Sequence, residues 1–94
     1  MLLGEDVAAA FLRETGLELR VRKLMGRSLL MPVDDRLGSF GILIGQTEPD
    51  FDESTHLRFP SREYPQDVHL VWWGNARVDE IDVVLRRITG APSV

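Results

Sequence analysis

Cysteine is absent from this 94-residue chain, which excludes a disulfide framework and a thiolate zinc site and is compatible with a reducing compartment. Long apolar runs are missing as well. The longest fall far short of the roughly 20 residues that span a bilayer, and Met1-Leu2-Leu3-Gly4-Glu5-Asp6 carries no basic leader. The expectation is a soluble, cytoplasmic protein with no membrane partner. An excess of positive charge is also lacking, since 11 Lys and Arg stand against 15 Asp and Glu, a net charge of −4. Phosphate backbones repel such a balance at long range, so nucleic acid is not expected as a ligand.

Catalytic and metal-binding spacings are missing too. Gly41 and Gly45 fall within a predicted strand and Gly38 just before it, and none lies in a turn leading into a helix with Lys and Ser or Thr. They therefore read as sites of close packing or a bulge, not as a phosphate loop. Asp50-Phe51-Asp52-Glu53-Ser54 has neither the bend glycine nor the distal bidentate acid of a calcium loop in register. Asp52, Ser54 and His56 would line one side of an extended segment and superficially resemble acid, nucleophile and base. Adjacent side chains on one strand rarely converge as a relay requires, and no oxyanion-forming turn follows. No catalytic residue, metal ligand or cofactor is assigned, and the chain reads as a non-enzyme.

What is present specifies a fold. An apolar fraction of 44% suffices for one core, and residues 1–94 make one domain. Val68 to Trp73 is a β-branched and aromatic run between Pro65-Gln66-Asp67 and Gly74-Asn75, the punctuation of a buried strand. From Asn75, a candidate N-cap, the period becomes helical, with apolar residues at Val78, Ile81, Val84 or Leu85, and Ile88. Asp79, Glu80 and Asp82 lie early and Arg86 and Arg87 late, complementing the helix dipole, and Asp82 and Arg86 are one turn apart. Gly90 and Pro92 end the helix, so the spacing predicts it over 75–89.

The first half reads as a helix and three strands. Val7 to Thr15 follows Asp6 and ends at Gly16, with Val7, Ala8, Phe11 and Leu12 along one side and Leu17 placed to fold back on Leu12. Leu19 and Val21 then alternate with Glu18, Arg20 and Arg22, a strand with one apolar and one charged face. Met25-Gly26-Arg27 turns into Ser28 to Val33, and residues 34–38 turn into Ser39 to Gly45, whose large side chains Phe40, Ile42 and Ile44 share one face. Gln46 to Ser54 reads as a solvated loop, Thr55 to Phe59 as a fourth strand that Pro60 confines to an edge, and Ser61 to Asp67 as another loop. The class is α+β: helix, an antiparallel sheet of four to five strands, C-terminal helix, with both helices on one face.

Alternation then separates the tryptophans. Trp72 shares a face with Leu70 and Val68, Trp73 with Val71 and His69. Only one face lies under the helices, so the other carries large apolar side chains that are covered or used. Charge is uneven: residues 1–45 hold six bases and six acids, residues 46–94 five and nine. Arg20, Arg22, Lys23 and Arg27 share their stretch with Glu18 and no interleaved aromatics, which suits a solvated face or a second contact site. The expected function is a non-enzymatic protein-interaction domain, inhibitor- or immunity-like, adaptor or secretion-chaperone-like. Its contact residues would be Trp73, Val71 and His69 on the open face and Glu48, Asp50, Asp52 and Glu53 in the acidic loop, meeting another protein of basic character or a second copy. The alternative is a small-molecule-binding domain or small enzyme with its pocket near Trp73, His69 and His56.

Overall fold

The computed structural model describes residues 4–24, 26–45, 53–60 and 67–91, with the backbone alone at Leu24 and Glu53. The order is α1 (Gly4–Thr15), β1 (Leu19–Leu24), β2 (Arg27–Pro32), β3 (Ser39–Ile44), a 3-10 turn (Glu53–Thr55), β4 (His56–Phe59), β5 (Val68–Trp73) and α2 (Val78–Thr89). The strands form one sheet in the order β1-β2-β3-β5-β4, every neighbouring pair antiparallel. The expected α+β fold is present, with five strands and a helix at each end. The Cα radius of gyration is 11.9 Å. Neither described helix is long and apolar enough to cross a membrane.

Both helices cover the same face. Leu30 lies opposite Val21 and Ile42, Ile42 opposite Leu70, and Leu57 opposite Leu70. With Leu19, Phe40, Ile44, Phe59 and Val68 they make one apolar surface that meets Val7 and Phe11 of α1 and Ile81, Val84 and Leu85 of α2. The Phe11 and Phe40 rings meet at 5.9 Å and 42°. Each fully buried Phe, Leu or Ile contributes about 1.5–3 kcal/mol by leaving water.

The expected helix boundaries change in two places. α1 begins at Gly4, not Val7, because its first turn lies directly on the sheet: a Cβ on Gly4 would stand 2.8 Å from Ser28 Cβ and 3.1 Å from Val21 Cγ1. Only glycine lets the helix approach so closely. Leu12, expected on the buried side, is exposed. Val7 and Phe11, four apart, already point at the sheet, and Leu17 enters the core from beyond the helix. The helix end is closed by Thr15, whose Oγ1 donates to Phe11 O at 2.7 Å and accepts from Leu17 N–H at 3.0 Å, while Gly16 turns at φ +74°.

α2 begins at Val78, three residues after the expected Asn75, and Arg77 occupies the N-cap without a side-chain cap bond. Tertiary docking sets this start. Arg77 N–H donates to Leu37 O at 2.8 Å, and Gly38, at φ +88°, lies so close that a Cβ there would come within 2.6 Å of Ala76 Cα. The turn between β2 and β3 thus holds residues 76–77 out of the helix. The C-terminal end is as expected: Gly90 is left-handed at φ 72°, and Asp82 and Arg86 pair at 3.0 Å, with the guanidinium 5.4 Å from the Phe59 ring centroid.

Candidate functional site

Of the residues singled out above, Trp73, Val71 and His69 share the face of the sheet away from the helices. Trp72 packs against the core beneath the helices, and Trp73 stands on the outer face, 51% exposed. The strand register decides this. Phe40 lies opposite Trp72 and Leu70 opposite Ile42, so whichever face takes Leu70 and Val68 also takes Trp72.

Small residues on β3 leave a trough beside Trp73. Ser39 lies opposite Trp73 and Gly41 opposite Val71. A Cβ on Gly41 would touch Leu29 Cδ1 at 3.4 Å and Val71 Cγ1 at 3.5 Å, so the flanking side chains lean over the glycine and bury it. Where β2 ends, β3 begins and β5 ends, an open depression of about 690 Å³ is bordered by Met31, Val33, Asp34, Asp35, Ser39 and Trp73. Met31, Val33 and Trp73 are each more than two-fifths exposed. Leu12 and Val83 are exposed on the helices, where single apolar side chains are ordinary.

Val71 and His69, expected beside Trp73 as contact residues, are nearly fully buried on this face, at 4% exposure each. His69 is engaged by its neighbour. His56 Nε2 lies 3.0 Å from His69 Nδ1, the rings are within 14° of parallel and their centroids are 5.2 Å apart. Near-parallel rings so far apart, with nitrogens so close, lie edge to edge in almost one plane and not face over face. One nitrogen carries the proton and the other accepts it. Arg58 and Asp67 form an ion pair on the same side of the same two strands. Among the described residues no buried side-chain nitrogen or oxygen lacks a partner, and no group of three His, Cys, Asp or Glu is placed to hold a metal ion.

The pocket residues grouped from the sequence divide along the strand. His56 and His69 meet, while Trp73 stands four residues along β5 from His69, about 13 Å away at the usual strand rise. Glu48, Asp50 and Asp52 lie outside the described residues, and Glu53 opens the 3-10 turn. Ser54 belongs to that turn and not to an extended strand, so the alternation that would have aligned it with His56 does not apply.

Met31, Val33, Asp34 and Asp35 were legible as turn and strand residues but not as neighbours of Trp73. A period-two reading of Ser28 to Val33 places Met31 and Val33 on the face opposite Leu30, the one available signal. Comparison with family models, with curated proteins and with solved structures gives no match.

Proposed function

We propose that this chain is a non-enzymatic protein-interaction domain that docks a segment of another protein in the depression beside Trp73. The carrying observation is the half-exposed Trp73 at the edge of a trough floored by Ser39 and bordered by Met31 and Val33. Large aromatic side chains concentrate binding energy when such a patch is desolvated. Asp34 and Asp35 at the rim favour a segment with an apolar side chain flanked by Lys or Arg, by charge complementarity. The acidic residues Glu48, Asp50, Asp52 and Glu53 would extend the same preference.

A second reading, a small-molecule site at His56 and His69, draws on their coplanar hydrogen bond. It is less favoured because the two facing ring nitrogens are occupied by each other.

Random-peptide selection on the immobilised chain tests the first reading. Selected peptides should carry an aromatic or aliphatic residue next to Lys or Arg, and Trp73→Ala should weaken them by about tenfold or more while leaving the thermal unfolding midpoint nearly unchanged. Peptides that bind Trp73→Ala as tightly as the parent would overturn the assignment.

A further inference from the structure

The two edges of the sheet are finished differently. β4 is four residues long, is followed by Pro60, and its outward Arg58 is neutralised by Asp67. Short length and proline both make an edge unattractive to another strand. β1 has six residues and no proline, and among the described residues nothing pairs with its far side.

The ladder fixes which groups of β1 are free. Val33 N–H donates to Glu18 O at 3.0 Å, continuing the pairing of Leu19 with Pro32 by one residue. In an antiparallel pair, residues alternately bond inward and outward. Glu18, Arg20 and Arg22 therefore bond toward β2, and the main-chain N–H and C=O groups of Leu19, Val21 and Lys23 point to the open edge.

The side chains beside that edge sort by face. Leu19 and Val21 lie on the inner face against the core, and Lys23 is held there by Glu5 at 2.7 Å. Arg20 and Arg22 lie on the outer face, exposed and without an ion pair among the described residues, opposite Met31 and Leu29. A second copy pairing through the same edge would set these arginines against one another, which is unfavourable. A nucleic acid would find the guanidinium groups but has no partner for the ladder of amides and carbonyls.

We propose that β1 is a docking edge for an extended acidic segment of another protein, added as a sixth strand. Its residues alternate. Those beside Arg20 and Arg22 are Asp or Glu, and those beside Leu19 and Val21 are aliphatic, so that main-chain bonds supply affinity and the alternation supplies register. This surface meets the depression at Met31, which lies opposite Arg20, but the main-chain edge that binds is distinct from it and does not depend on the function proposed for Trp73.

The test uses the full chain and an eight-residue peptide of alternating Glu and Val. Binding should shift and protect the amide protons of Leu19, Val21 and Lys23 by NMR and weaken as salt is raised. Arg20→Glu with Arg22→Glu should reduce affinity by about a hundredfold, and N-methylation of the peptide amides that face β1 should abolish it; Trp73→Ala should change nothing. Equal binding by alternating Lys and Val overturns the charge argument. Tight binding of the N-methylated peptide, or shifts confined to residues away from β1, overturns strand addition. Displacement of the peptide by single-stranded RNA, or self-association of the chain that protects the amide protons of Leu19, Val21 and Lys23, assigns the edge to a different occupant and sinks the proposal.

Discussion

His56 Nε2 and His69 Nδ1 face each other across 3.0 Å, in rings within 14° of a common orientation, on the outer side of the two strands that close one edge of the sheet. The bond demands one N–H and one lone pair, so it accommodates a charge on one ring at most. It ties the short edge strand β4 to its neighbour β5 at a position where His69 is withdrawn from water.

Nitrogen-15 NMR of the imidazoles at neutral pH should therefore find one of these two facing nitrogens protonated and the other bare. His56→Ala should cost about 1 kcal/mol, the ordinary net worth of such a bond. That corresponds to a melting point lower by about 4–8 °C for a domain of this size. Two protonated facing nitrogens at neutral pH would contradict the arrangement.

Gly38 couples two loops that are far apart in sequence. Its φ of +88° is one that side chains rarely adopt, and a Cβ would come within 2.6 Å of Ala76 Cα. Gly38→Ala should cost about 3 kcal/mol or more, combining backbone strain with displacement of the segment before α2. Gly26 has φ +82° and nothing within 4 Å of the built Cβ, so Gly26→Ala should cost only about 1–2 kcal/mol. Denaturant unfolding of the two variants compares them directly, and equal losses would show that contact with Ala76 does not matter.

Glu5 is held below the usual carboxylate range chiefly by its hydrogen bond with Lys23, supported by a backbone bond. A depressed native value means that the pair adds stability above the ordinary carboxylate range and loses it as pH falls through the native value. The contribution is small because both groups are exposed and salt screens them. In Lys23→Met the Glu5 carboxyl, followed by NMR, should titrate at higher pH than in the parent. An unchanged midpoint would show that Lys23 is not the cause.

Reading the fold from the sequence works where the determinants are local. The run from Val68 to Trp73 forms β5 with those bounds, and Gly90 ends α2, because a period of two and a left-handed glycine act over a few residues. The start of α2 escapes such reading. Asn75 is a good local cap, but the bond from Arg77 to Leu37 and the contact of Gly38 with Ala76 hold the chain in a turn until Val78.

The same division runs through the candidate site. Alternation along one strand dictates that Trp72 and Trp73 look opposite ways, and the sequence by itself determines that much. Which one faces water was decided only when β5 inserted between β3 and β4, because burial of Val68 and Leu70 against Ile44, Ile42, Leu57 and Phe59 commits that parity to the helices. Met31 and Val33 came to border the Trp73 depression through sheet order, which brings residues some forty positions apart together. Side-chain direction is a property of neighbouring peptide units, whereas the companions of a side chain depend on the long-range pairing of strands.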